Sequence, residues 1–196
     1  MLERTENDII YKVTVAIAQW LERLPVEQDV AGSSPVSHPK FPIAPKSPKM
    51  DLKTRELTAG DLEQVIAIGK SIFPHKSYFS KNYFQKFYQS YPQGFLVFKN
   101  GEEIIGYVIG QKEGEKGKII SLAVKKNEQK KGIGKKLVNH LINNFQKDGV
   151  NSILLHVREK NQNALAFYQK LGFKLKKTAK NFYADGDSAF LLELKI

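Results

Sequence analysis

Past residue 50, the apolar positions of this chain switch repeatedly between a period of two and a period near 3.6. Residues 52–57 read as a strand, and Thr58-x-x-Asp61 then has the form of a capping box before Leu62, Val65, Ile66 and Ile68, which share one helical face. Phe73-Pro74 breaks that helix, because proline has no amide hydrogen to donate. Ser80 stands as the N-cap of a second, aromatic-rich helix from residue 81 to about 91. Residues 95–98 and 103–111 flank Asn100-Gly101, a pair that predicts a type I′ hairpin turn. Gly114 and Gly117 mark the next connection, and the unbroken apolar run 119–124 reads as a strand buried on both faces.

Leu137, Val138, Leu141 and Ile142 place a helix over 133–145, followed by an apolar strand over 152–157. A helix over 161–171 ends at Gly172, and residues 173–177 and 188–194 form a last antiparallel pair around Asp185-Gly186-Asp187. The order predicts an α+β fold with one parallel strand-helix-strand crossover in its middle.

The first 49 residues do not share this pattern. They hold six of the eight prolines but only Tyr11 and Phe41 of the twenty Phe and Tyr residues. The run AGSSPVSHPKFPIAPKSPK, residues 31–49, is turn-prone and prone to extended polyproline structure, as a linker or disordered tail is. The leader also resembles a translated tRNA gene. Gly32-Ser33-Ser34-Pro35 can be encoded as GGT TCG AGT CC, the T-arm sequence, and Trp20 must be TGG where D-loop guanines would fall. Two readings stand: a start codon assigned too early, with the working protein beginning at Met50, or a genuine disordered extension. On both, residues 1–49 are a separate segment and 50–196 the folded domain.

Composition narrows the class. Apolar residues at 41% and charged residues at 26% suit a globular domain. The longest apolar-leaning stretch, residues 13–21, is far short of the roughly 20 residues of a membrane helix. Acidic Glu3, Glu6 and Asp8 precede it where a secretory signal needs positive charge, so the expectation is a cytoplasmic protein without a membrane partner. With no cysteine, disulfides, thiolate metal sites and cysteine nucleophiles are excluded, and the four histidines lack a metal-ligand spacing. The leader is charge-balanced, so the net charge of +11 belongs to residues 50–196. That excess raises a nucleic-acid or ribosome-binding reading, but it is 23 lysines against two arginines, without the Arg-aromatic interleaving of base recognition.

Gln129-Lys130-Lys131-Gly132-Ile133-Gly134 lies between a buried strand and a helix, where free backbone amides and the positive end of the helix dipole suit an anion. Lysines 125, 126, 130, 131, 135 and 136 crowd the same turn. The spacing is neither Walker A nor GxGxxG, and taken alone it reads equally as a tight turn beside a solvated lysine face.

A second segment, VREKNQNALAFYQKLGF at 157–173, makes the pattern specific. Together the two segments resemble the GNAT superfamily of N-acetyltransferases, whose signature Gln/Arg-x-x-Gly-x-Gly/Ala is matched by Gln129, Gly132 and Gly134. The partner segment, Asn-x-x-Ala-x-x-x-Tyr-x-x-x-Gly-Phe, is matched from Asn161 to Phe173. Within the superfamily, Leu155-His156-Val157, the Phe73-Pro74 turn and the ending NFYADGDSAFLLEL are most similar to catalytic subunits that acetylate protein N-termini.

The resemblance implies a mixed, mostly antiparallel sheet of six to seven strands with a central parallel splayed pair, and about four helices. It implies acetyl-CoA as cosubstrate and no metal. Leu122, Ala123 and Val124 would meet its pantetheine, with the Val124 amide as oxyanion donor, and the amides of Lys130, Lys131, Gly132, Ile133, Gly134 and Lys135 would meet its pyrophosphate. Asn161 would contact the cofactor, Tyr168 would protonate the departing thiolate, and His156 would accept the amine's proton. As a residue in an apolar strand, His156 reads equally as a packed core histidine. Where related enzymes place a second catalytic tyrosine, this chain has Lys118. Phe73, Pro74, Tyr78, Phe182 and Tyr183 match the family's peptide-binding loops, so the expected partner is a protein N-terminus or peptide. Small-amine acetylation stands as the alternative, and contact with ribosomal RNA stays open.

Overall fold

The protein is described by a computed structural model covering residues 52–73, 80–183 and 185–196. The leader, residues 1–49, and the loop positions Pro74 and Tyr78 lie outside the described residues. The elements run β1 (Leu52–Glu56), α1 (Leu62–Ile72), α2 (Lys81–Ser90), β2 (Phe95–Asn100), β3 (Glu103–Glu113), β4 (Lys116–Val124), α3 (Ile133–Lys147), β5 (Ser152–Arg158), α4 (Gln162–Lys170), β6 (Lys174–Ala179) and β7 (Ala189–Lys195). They build one seven-stranded sheet in the order β1-β2-β3-β4-β5-β7-β6, flanked by helices on both faces. No described helix is long and apolar enough to cross a membrane.

The alternation of side chains along each strand divides the core in two. On one face, Ile119, Leu122, Leu155 and Val157 pack with Leu137, Leu141 and Phe145 of α3 and Tyr168 of α4. On the other, Val97, Tyr107 and Ile109 pack with Val65 and Ile68 of α1 and Phe84 and Phe87 of α2. Two glycines let α3 lie close to the sheet: a Cβ on Gly110 would stand 2.6 Å from Leu141, and one on Gly117 2.9 Å from Phe145. Gly117 is therefore not part of a connection, as its sequence suggests, but a strand residue, and β4 begins at Lys116.

One local expectation is corrected. Asn100 pairs with Glu103, so the hairpin turn is Gly101-Glu102, with positive φ at Gly101 alone. A type I′ turn at Asn100-Gly101 needs positive φ at both central residues and is not formed. Ser80 is the N-cap of α2 as expected, but through its backbone: its hydroxyl makes no capping bond, and its carbonyl accepts from the Tyr83 and Phe84 amides.

One irregularity positions everything functional. β4 and β5, the parallel pair, stay in register only from Lys116↔Ser152 to Lys118↔Leu154. Beyond that point β4 continues with β3 to Val124, while β5 continues with β7 as far as Arg158↔Ala189. Each strand keeps its outer partner, so the sheet opens along its middle.

Candidate active site

The opened edge of β4 carries backbone groups without a strand partner on that side. The Lys125 amide donates to Ile105 O at 2.8 Å, which fixes the antiparallel alternation: Ala123 faces β3, while the N–H and C=O of Leu122 and Val124 face the gap. The Val124 carbonyl is taken there by Gln129 Nε2 at 3.0 Å, leaving the Val124 amide directed into the opening. Gln129, expected as a cofactor ligand, thus ties the loop to the end of β4 through its side chain.

The loop turns into α3 through two residues with left-handed backbone, Lys130 at φ 59° and Gly132, the N-cap, at φ 78°. No side chain caps this end. The amides of Ile133, Gly134 and Lys135 therefore lack intrahelical acceptors and face outward at the positive end of the helix dipole. They border a cavity of about 380 Å³. Its walls are Leu122 and Val124 from β4, the loop and first turn of α3 from Glu128 and Gln129 through Lys130 and Gly132 to Lys135, and Phe167, Tyr168, Lys170 and Leu171 from the α4 segment.

Several expected ligands point elsewhere. Ala123 belongs to the opposite core, under α1 and α2. Asn161 is 1% exposed and caps α4, accepting from the Ala164 amide at 3.0 Å. Of the six clustered lysines, Lys131 pairs with Glu128, Lys125 pairs with Glu103, and Lys136 lies over the Phe98 ring; Lys130 and Lys135 line the cavity, and Lys126 does not. Lys170, Phe167 and Leu171 were not anticipated. Their signal in the sequence is the three-residue spacing from Phe167 to Lys170 and from Tyr168 to Leu171, which turns both pairs to one side of α4.

The two glycines are not equivalent. At Gly132 any branched residue is strained by the positive φ, whereas a Cβ on Gly134 would meet Phe167 at 3.5 Å, an ordinary contact. Gly134→Val should therefore fold normally and weaken acetyl-CoA binding by about tenfold or more, while Gly132→Val should in addition lose about 1–2 kcal/mol of stability. Calorimetric titration with acetyl-CoA beside denaturant unfolding checks both; unchanged affinity in folded Gly134→Val removes the loop from the site.

Tyr168 is 1% exposed, its ring edge-on to Phe167 and Phe173, and its hydroxyl has no hydrogen-bond partner. Burial pushes its pKa well above that of a free tyrosine, so the phenol stays protonated. Buried hydroxyls without a hydrogen bond are uncommon in folded proteins, and this one belongs to a residue of the cavity lining.

His156 occupies the opposite face of β5. Its neighbours Leu155 and Val157 point toward α3 and α4, so the imidazole points away from them and stacks on Phe182, with centroids 4.3 Å apart and planes 16° from parallel. Burial first, then the charges of Lys118 and Lys177, pull its pKa down from 6.5 to about 4. Lys118 is itself held by Glu113 at 2.7 Å. The expected peptide clasp is only partly exposed. Phe73 is 2% and Tyr183 1% exposed, both packed into the protein, because Phe73 closes the α1 core and Tyr183 lies against the Arg158 guanidinium. Phe182 alone of that pair reaches His156.

The acetyltransferase (GNAT) family profile matches residues 62–173, from the start of α1 to the end of the α4 segment. The chain belongs to the GNAT acetyltransferase family. This acetyltransferase is 34% identical to an uncharacterised N-acetyltransferase of Methanocaldococcus jannaschii, over 70% of this chain and 88% of the relative. It is 30% identical to an N-alpha-acetyltransferase of Sulfolobus acidocaldarius, over 74% of this chain and 92% of the relative. Among solved structures, the ribosomal-protein-S18-alanine N-acetyltransferase of Escherichia coli superimposes with a TM-score of 0.64 at 25% identity, over 74% of this chain and 94% of that one. Ard1 of Thermoplasma volcanium shares the fold with a TM-score of 0.68 at 24% identity, over 74% and 97%. The expected mixed sheet with its splayed parallel pair is the one observed. Among the described residues, no cluster of three or more His, Asp or Glu could hold a metal ion.

Proposed function

We propose that this acetyltransferase moves the acetyl group of acetyl-CoA onto the α-amino group of protein N-termini, by direct attack within a ternary complex. The observation that carries the reading is the split between β4 and β5, with the lysine-bearing cavity against the freed edge of β4 and His156 beyond the last residue of β5 that pairs with β4, on the other face of the sheet. The residues present fit the cosubstrate. First-turn amides with Lys130, Lys135 and Lys170 suit a polyphosphate, the free edge of β4 suits an extended amide chain, and the unpartnered Tyr168 hydroxyl waits at the inner wall. Acetyl-CoA supplies an acyl group already activated as a thioester.

The chain's own groups divide the remaining work. The Val124 amide, facing the gap, donates to the carbonyl oxygen as negative charge develops there. Tyr168 Oη holds a proton on the cavity side, where the C–S bond breaks and a thiolate needs one. His156 accepts on the opposite side, where the amine nitrogen forms its bond to carbon and loses a proton. With Tyr168 on one face of the sheet and His156 on the other, the amine can add to the carbonyl from the acceptor side and the thiolate can leave the tetrahedral intermediate toward the cavity, each beside its own proton partner.

The N-alpha-acetyltransferase relatives support the α-amine as acceptor. The proposed domain is residues 50–196, with the leader dispensable. Acetyl-CoA incubated with a library of peptides differing at the first two residues, and separately with polyamines and aminoglycosides, should give mass shifts on peptide α-amines. The full chain and a chain starting at Met50 should behave alike. Transfer to small amines alone overturns the acceptor assignment, and loss of activity on truncation makes the leader structural.

A further inference from the structure

We infer that Arg158 is a positioning residue: by holding the loop between β6 and β7 with two carboxylates, it sets Phe182 against His156. This builds on the proposed acceptor side without being part of its chemistry. Arg158 ends β5 two residues beyond His156, on the same face of the strand, with its side chain 2% exposed. Nη1 donates to Asp187 Oδ2 at 2.6 Å and to Asp185 Oδ1 at 3.0 Å. The Tyr183 ring lies 4.0 Å from the guanidinium carbon, and Lys160 Nζ adds a bond to Asp187 Oδ1 at 2.7 Å.

The loop is also drawn tight on itself. The Tyr183 amide donates to Asp187 O, the Gly186 amide to Tyr183 O, and the Glu159 amide to Ser188 O, all within 2.8 to 3.0 Å. Phe182 is the neighbour of Tyr183, their rings edge to face at 5.1 Å, and Phe182 also stacks on His156. The guanidinium thus fixes Tyr183, and Tyr183 fixes the direction in which Phe182 leaves the loop.

Stability alone does not account for this arginine. Nε and Nη2 are buried and have no partner, so part of the desolvation of the charge is uncompensated. Buried ion pairs with incomplete hydrogen bonding are commonly matched or bettered by apolar side chains of the same volume. What methionine cannot supply at position 158 is a direction: one charged nitrogen, Nη1, that brings Asp185 and Asp187 together while the guanidinium face supports an aromatic ring.

The test uses the full chain with Arg158→Met, Arg158→Lys, Asp187→Asn and the triple variant Arg158→Met/Asp185→Asn/Asp187→Asn. Arg158→Met should bind acetyl-CoA unchanged, and the triple variant, which removes the ion pairs whole, should unfold at the parent's temperature or higher. The KM for an acceptor peptide should rise about tenfold. By NMR, the His156 imidazole should titrate closer to an ordinary histidine as Phe182 leaves it. The triple variant should be no worse than Arg158→Met, because the clasp acts as a unit, and Arg158→Lys should fall between. Wild-type acceptor KM together with an unmoved His156 titration in Arg158→Met overturns the assignment. If Arg158→Met does not fold, Asp187→Asn, which keeps the Asp185 pair, decides by the same two readouts. If no peptide is acetylated at all, the proposed acceptor falls, and the His156 titration still tests the clasp.

Discussion

Tyr168→Phe is expected to lower kcat by about 10²-fold while the protein stays as stable as before. The change removes one oxygen that makes no hydrogen bond in the protein. No partner is orphaned, the ring keeps its edge-on contacts with Phe167 and Phe173, and stability should hold or rise slightly. Acetyl-CoA affinity should change little, since on the proposed reading its phosphates meet the first turn of α3 with Lys130 and Lys135 rather than Tyr168. On that reading what is lost is the donor beside the breaking C–S bond. An effect on kcat and kcat/KM together, with acetyl-CoA binding intact, marks an interaction made in the transition state. A kcat within twofold of the parent would leave Tyr168 as packing, and the thiolate would then leave unassisted or take its proton from water.

The fold was legible to the extent that burial was periodic. β5 and the hairpin of β2 and β3 follow from apolar runs, and α1 and α3 from their single apolar faces, because in each the hydrophobic period and the backbone period agree. The hairpin turn missed by one residue because Asn100 stays in the ladder opposite Glu103, and an Asn-Gly pair does not by itself say which of the two ends the strand. The splay of β4 from β5 is likewise invisible in composition: Ile119 to Val124 would look the same had they stayed paired, and only the family resemblance announced it.

The site was legible where backbone geometry demanded a residue type and obscure where packing chose. Gly132 shows itself because only glycine suits φ 78° at a helix entry. Ala123 was grouped with Leu122 and Val124 by adjacency, yet neighbouring strand residues face opposite layers, and it serves the other core. The six lysines read as one cluster until α3 was docked, which sends Lys136 toward Phe98 and leaves room for Lys170 from α4. Arg158 gave no signal, since its partners are 27 and 29 residues away in a turn that reads as a simple connection.

His156→Ala is expected to cut kcat by about 10²-fold and to remove a limb of the pH profile near 4, not near the 6.5 of a solvated imidazole. An α-ammonium has a pKa of about 7.7–8.0, so handing its proton to an imidazole of pKa about 4 is uphill by roughly four units, near 5 kcal/mol. His156 is therefore a weak acceptor that acts only as the nitrogen forms its bond to carbon and the ammonium becomes far more acidic. A second limb near pH 8, belonging to the acceptor's own amine, should survive in the variant. The same depressed pKa ties stability to pH. The unfolded chain takes up a proton near 6.5 and the folded one only near 4, so stability held above 6.5 falls as the pH drops through that window, by about 3 kcal/mol at most. His156→Ala lacks this loss, so its stability deficit at pH 7.5 should narrow at pH 4.5 in denaturant titrations. A variant with the parent's kcat and both limbs in place would make His156 a packing residue under Phe182. The amine would then enter already neutral, selected by the surrounding Lys118 and Lys177 charges, with no side chain needed to take its proton.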